Sequence, residues 1–418
     1  MSHRAVLFSA MAEGTTRLAG VLDSADVRST IEAVRALGAM VDLARDPDGA
    51  LAGTVSGWGA TGPIAMRGMR IECGNSGTTA RLLMGVLAGC LEPVTLLGDA
   101  SLSRRPMRRI TEPLERMGVV FESAEKVTLP VTVRGTAGLE AIECDLPVAS
   151  AQVKSAILLA GVQAHGRTCV SEPSPSRDHT ELMLPLFGVP VERDAATHTA
   201  AVVGPSALQA ADEFVVPRDP SSAAFLVAAA VLVDGSDVTL PGVSLNPTRD
   251  GFLRVLERMG AHVEVVPWPL TEGERVGEVR AIGGATLCAT TVDAQEVPSL
   301  IDEVPILALV ATQAAGTTRF QGVGELRVKE SDRLAAIAEG IARLGGSATI
   351  EADTLAVTGP SALTGATLDS LGDHRLAMTW AVAGLLADGG VTVEDFEAVD
   401  VSYPKFAENL EAIASAGT

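Results

Sequence analysis

Residues 69–98 read MRIECGNSGTTARLLMGVLAGCLEPVTLLG, and the chain repeats the plan of this stretch six times. A β-prone lead-in, Met69–Cys73, precedes a polar opening, Asn75–Thr79. The apolar stretch Arg81–Ala88 follows and ends at Gly89. After a turn comes a second β-prone run, Val94–Leu97, and then Thr111–Gly118, where charged and apolar residues alternate at helical spacing. Short oxygen-bearing side chains at the opening accept from the free N–H groups of a helix start, and a glycine stops a helix. The plan is therefore lead-in strand, capped apolar helix, strand and amphipathic helix.

Apolar stretches close on Gly14, Gly89, Gly166, Gly235, Gly316 and Gly389, spaced about 75 residues apart. The β-prone runs Thr15–Leu18, Val94–Leu97, Thr168–Val170, Val238–Leu240, Thr317–Phe320 and Val391–Val393 follow. Amphipathic helices come next, five of them closing on Gly38, Gly118, Gly188, Gly260 and Gly345. The openings are Ser2-His3-Arg4, Asn75–Thr79, Ser150-Ala151-Gln152, Asp219–Ser222, Asp302-Glu303 and Asp373-His374-Arg375. Lead-ins stand at Met69–Cys73, Glu140–Leu146, Glu213–Arg218, Ala289–Val292 and Gly365–Leu368. A chain of 418 residues suits two domains. Six units divide into residues 1–216 and 217–418, with the crossing near Val215–Arg218. The expected fold is α/β (α+β): three units per domain, buried parallel helices surrounded by sheets and outer helices.

Parallel buried helices bring their N-termini to one face, where unpaired N–H groups and about half a positive charge each favour anions. Arg4, Arg81, Lys154 and Arg375 stand at such ends, with Arg105 and Arg177 nearby. A cation opposes the dipole there and is best tolerated beside an anion. Only four lysines accompany 28 arginines, so Lys154 and Lys329 read as specific choices.

The net charge of −20 argues against a nucleic-acid partner. Five scattered cysteines form no C-x-x-C pair, which points to a reducing, cytoplasmic compartment without disulfides or a zinc site. The apolar helices span about 20 Å, short of a bilayer core of about 30 Å, and the N-terminus does not read as a signal peptide. No membrane association is expected.

Eight motifs in order carry a resemblance: Gly74–Arg81 (GNSGTTAR), Arg104–Met107 (RRPM), Pro147–Lys154 (PVASAQVK), Ser176–Glu181 (SRDHTE), Leu300–Pro305 (LIDEVP), Val328–Arg333 (VKESDR), Gly372–Met378 (GDHRLAM) and Ser402-Tyr403-Pro404. Together they resemble the 5-enolpyruvylshikimate-3-phosphate synthases, the 3-phosphoshikimate 1-carboxyvinyltransferases of the enolpyruvyl transferase family. The resemblance implies transfer of the carboxyvinyl group of phosphoenolpyruvate to the 5-hydroxyl of shikimate 3-phosphate. Phosphate is released, a tetrahedral ketal intervenes, and no metal or organic cofactor takes part. It implies Asp302 as proton acceptor and Glu330 as the group handling the methylene proton. Asn75, Gly77, Arg105, Gln152, Arg333 and Arg375 fall to phosphoenolpyruvate. Arg4, Ser150, Ala151, Gln152, Arg177, Asp302 and Lys329 fall to shikimate 3-phosphate. It further implies two domains that close on their substrates, a monomer, a place in aromatic amino-acid biosynthesis, and, through the small Gly77, sensitivity to glyphosate.

The first unit departs from the plan, since it begins at Met1-Ser2-His3-Arg4 without a lead-in. Family members read Pro-Gly-x-Lys-Ser-x-Ser-x-Arg here; Ser2 and Arg4 match the end, and the family's Lys touches both substrates. The expectation is a missing N-terminal piece and impaired turnover of the chain as it stands. Val401 stands where some members carry Lys, and Leu82 where some carry Pro. Three other readings stay open: the enolpyruvyl transferase acting on UDP-N-acetylglucosamine, a non-catalytic binder of the same ligands, and a ring-shaped clamp. The first usually has a reactive Cys in the loop that here is Gly98–Met107, which holds none. A clamp needs cations along helix faces rather than at the ends of buried helices.

Overall fold

The computed structural model describes residues 1–47, 49–123, 127–269 and 273–416. The six inner helices are Ser2–Met11, Gly77–Val86, Ala151–Gly161, Pro220–Leu232, Val304–Ala311 and His374–Ala383. Four start on a side-chain cap. Ser76, Ser150, Asp219 and Asp373 accept from the N–H groups of Thr79, Val153, Ser221 and Arg375. The other two correct the expectation. Ser2 Oγ accepts instead from Leu22 N–H at 2.9 Å. Asp302 lies in a 3-10 turn, Ile301–Glu303, ahead of its helix, whose N-cap position is Glu303 and carries no side-chain cap, and the Asp302 carboxylate faces nearby cations.

Every residue of Val304–Ala311 is buried, as a helix apolar on all sides must be. Close packing comes from small residues. A Cβ on Gly85 would sit 2.2 Å from Ala156 O, so this glycine lets the second and third inner helices touch backbone to backbone.

The glycines expected to end the inner helices stand later. Val304–Ala311 stops four residues short of Gly316, its last carbonyls taken by Thr312, whose hydroxyl donates to Leu309 O at 2.7 Å. Gly316, at φ +108°, opens the strand Gly316–Phe320 instead. The left-handed glycine stop belongs to the outer helices: Ala25–Ala36, Arg108–Arg116, Gly251–Arg258 and Arg333–Arg343 are followed two residues on by Gly38, Gly118, Gly260 and Gly345, all at positive φ. These helices bury one face only.

In four units the lead-in strand pairs in parallel with the strand that follows the inner helix. The pairs are Met69–Glu72 with Val94–Leu97, Glu143–Asp145 with Gly166–Ser171, Thr291–Val292 with Gly316–Phe320, and Thr364–Asp369 with Asp388–Glu394. In the first three of these, antiparallel strands complete a four-stranded sheet, while the last remains a pair of strands. The lead-in expected for the fourth unit is a correction. Glu213–Val215 pairs with Thr15–Val21 of the first unit, and only Arg218 bridges Val243 in the fourth. Pro217, without an N–H, interrupts the ladder between them.

Clustering of contacts divides the chain into one compact unit of Met1–Val216 and a second made of most of the chain from Pro217 onward. Each has its own apolar core around its three inner helices. Among the described residues, no helix is long and apolar enough to cross a membrane. All five cysteines are free thiols.

Candidate active site

In the second unit the starts of three inner helices share one ion network. Arg333 opens an outer helix and is 1% exposed. Its Nε donates to Asp373 Oδ2 at 2.7 Å, its Nη2 to Glu330 Oε2 at 2.6 Å, and its Nη1 to Asp302 Oδ1 at 3.4 Å. Lys329 Nζ lies 3.8 Å from Asp302 and 2.9 Å from Glu325. Arg375 Nη2 lies 3.8 Å from the other Asp302 oxygen, while its Nη1 donates to Asp302 O at 3.2 Å and Glu303 Oε1 at 3.4 Å. Thus Asp302, Lys329, Glu330, Arg333 and Arg375, chosen from sequence, come together. Three cations face the Asp302 carboxylate, at 3.4–3.8 Å.

The carboxyls around it differ in character. Burial pushes Glu303 up, with Arg375 pulling the other way. Burial would also raise Glu330, but the Arg333 charge outweighs it and holds Glu330 below the ordinary range. Asp373 is lowered in the same way by Arg333. Burial, then the Arg375 charge, takes His374 down to about 4, so this imidazole is neutral at pH 7. Sequence reading placed Glu303 only in the polar opening of its helix and gave it no site role. It missed the buried Arg249–Ser221 pair behind it. Arg249 Nη2 donates to Ser221 Oγ at 2.5 Å, and Ser221 Oγ donates to Glu303.

In the first unit, contact of the second and third inner helices brings Arg81 onto Gln152 Oε1, and Gln152 Nε2 donates to Thr78 Oγ1 at 3.0 Å. Arg105 Nη2 donates to Asn75 Oδ1 at 3.0 Å, and Asn75 is steadied by Asp99 at 2.7 Å. A Cβ on Gly77 would lie 3.1 Å from Arg81 Nη1 and 3.4 Å from Arg105 Nη1, so both guanidiniums converge on this first helical residue. Arg81 belongs with Asn75, Gly77, Arg105 and Gln152. Its place in the GNSGTTAR helix, one turn beyond Gly77, was the signal for it.

The remaining residues of this unit cluster around the third inner helix. Ser150 caps it and Ala151 is its first residue. Arg4 is buried; it donates to Thr180 Oγ1 and Ser155 Oγ, each at 2.8 Å. Arg177 follows Ser176, whose hydroxyl donates to Glu172. Lys154 does not face outward. It is 4% exposed and lies 2.7 Å from both Glu172 and Glu181, so its charge is met inside the fold.

Residues 1–410 match the sequence model of the family described as EPSP synthase (3-phosphoshikimate 1-carboxyvinyltransferase). Two similar curated proteins bear the name 3-phosphoshikimate 1-carboxyvinyltransferase. That of Halorhodospira halophila is 46% identical, with 99% of this chain and 91% of that protein covered. That of Shouchella clausii is 44% identical, with 99% and 94% covered. A solved EPSP synthase from Acinetobacter baumannii superposes with a TM-score of 0.89 at 38% identity, covering 99% of this chain and 93% of that one. The enolpyruvyl transferase NikO from Streptomyces tendae, at 20% identity and a TM-score of 0.76, shares the fold.

Proposed function

Since the chain belongs to the EPSP synthase family, we propose that its two clusters of helix starts divide the labour of one carboxyvinyl transfer. The reaction joins phosphoenolpyruvate to the 5-hydroxyl of shikimate 3-phosphate and releases phosphate. Phosphoenolpyruvate falls to Asn75, Gly77, Arg105 and Gln152 with Arg333 and Arg375. Arg4, Ser150, Ala151, Gln152, Arg177 and Lys329 hold shikimate 3-phosphate. Arginine forks suit both phosphate and carboxylate groups.

Asp302 takes the proton of the 5-hydroxyl as that oxygen bonds to the central carbon of phosphoenolpyruvate. Glu330 delivers a proton to the methylene carbon, giving a ketal; the ionised Glu330 then takes a proton back from the resulting methyl group as the carbon–oxygen bond to phosphate breaks and phosphate leaves. Glu330 is ionised in the free chain because Arg333 holds it low. A bound phosphate or carboxylate near Arg333 offsets that charge and lets Glu330 take up the proton it must give. Two carboxylates kept in different surroundings is what such a sequence needs.

The observation that carries this reading is Asp302, faced by Lys329, Arg333 and Arg375. The test is phosphate release from phosphoenolpyruvate with shikimate 3-phosphate or UDP-N-acetylglucosamine as acceptor. Turnover with the first acceptor only is expected; turnover with the second overturns the reading. A cytoplasmic monomer with no nucleic-acid partner fits the acidic surface and the free thiols.

A further inference from the structure

Resting on the assignment of Ser150, Ala151, Gln152 and Arg177 to shikimate 3-phosphate, we propose that Glu172 is the positioning residue that assembles this half-site, with Lys154 as its counter-ion. Glu172 follows the strand Gly166–Ser171, and its backbone N–H is fixed on His198 O at 3.2 Å. Its side chain is 1% exposed. Oε1 accepts from the N–H of Ser150, the helix cap, at 2.8 Å, and from Ser176 Oγ at 2.8 Å. Oε2 accepts from Ser176 Oγ at 2.7 Å and faces Lys154 Nζ at 2.7 Å. One carboxylate therefore ties a strand end to the cap of the third inner helix and to the residue before Arg177. Lys154, one turn into that helix, is anchored from its other side by Glu181, on the short helix His179–Met183.

A buried ion group is a poor way to gain stability, because desolvation offsets most of the attraction. What it gains here is geometry, since a carboxylate offers only acceptors and the three groups around it all donate. Neutral Gln has the same shape, but its amide turns a donor toward at least one of them. Lys154 keeps Glu181 in the variant, so its charge is not stranded.

The experiment compares wild type, Glu172→Gln and Arg177→Ala by calorimetric binding of shikimate 3-phosphate and by melting, with KM for phosphoenolpyruvate as the control. For Glu172→Gln we expect at least a tenfold rise in the shikimate 3-phosphate Kd, a KM for phosphoenolpyruvate within about twofold, and a cooperative melt. Wild-type affinity in Glu172→Gln, beside lost affinity in Arg177→Ala, overturns the role of Glu172 alone. Equal weakening toward both substrates overturns it as well, marking a merely structural group. Wild-type affinity in both variants overturns the half-site assignment and this proposal with it.

Discussion

Arg333 and Asp373 meet through two hydrogen bonds, 2.7 Å from Nε and 3.2 Å from Nη2, with both side chains shut off from water. The same guanidinium reaches Glu330 and Asp302. Asp373 also caps the sixth inner helix. A carboxylate fixed to a helix start thus orients, through one cation, both carboxylates assigned to proton transfer.

Replacing Asp373 by Asn removes the closest charge partner of buried Arg333, which keeps Glu330 and Asp302. The charge is not stranded, so the loss is that of a charged hydrogen-bond partner, about 1–3 kcal/mol, which a melt of the variant measures. The folded state holds Asp373 low, so its stabilisation is complete above the unfolded value of about 3.9 and is lost as pH falls through the lower folded value. The gap between wild type and variant should be flat above about pH 5 and narrow in stronger acid.

Asp302→Asn should behave in the opposite way. The carboxylate stands 3.4–3.8 Å from its three cations, farther than Asp373 stands from Arg333, so the melting temperature should move less than in Asp373→Asn. Loss of a positioned proton acceptor costs about 10²–10⁴ in kcat. Steady-state kinetics beside a melt separates the two effects.

Gly77→Ala places a methyl 3.1 Å from Arg81 Nη1 and 3.4 Å from Arg105 Nη1. Both contacts are flexible side-chain ends, so the fold should survive while the cations move. A rise of about tenfold in KM for phosphoenolpyruvate, equal to about 1.4 kcal/mol, is expected, with weaker inhibition by glyphosate. Inhibition curves for wild type and variant check both.

Much of this was legible from residues alone. The β-prone runs mark strands because β-branched residues alternate there, and Ser76, Ser150, Asp219 and Asp373 cap because a side-chain oxygen acts within its own turn. What failed was non-local. Pairing of Glu213–Val215 with Thr15–Val21 joins segments far apart in sequence, which no local pattern encodes. The partners of Lys154 lie on a strand end and a separate helix, so a cation at a helix start looked available to a ligand when the fold had already matched it. Glu172 belongs to no motif and shows its role only once three segments converge on it.

His374 offers a pH test. Its folded value is about 4, against about 6.5 when unfolded, so its contribution is present above pH 6.5 and lost as pH falls from there toward 4. Wild type should lose melting temperature across that window more steeply than His374→Gln. Parallel curves would mean that the imidazole takes up its proton in the folded chain as readily as in the unfolded one.

The most direct measurement is phosphate release from phosphoenolpyruvate and shikimate 3-phosphate, run on wild type and Asp302→Asn together. The account predicts one phosphate per enolpyruvyl product from the wild type and a drop of at least a hundredfold in the folded variant. Equal rates in the two proteins, or release only when UDP-N-acetylglucosamine is the acceptor, would contradict it.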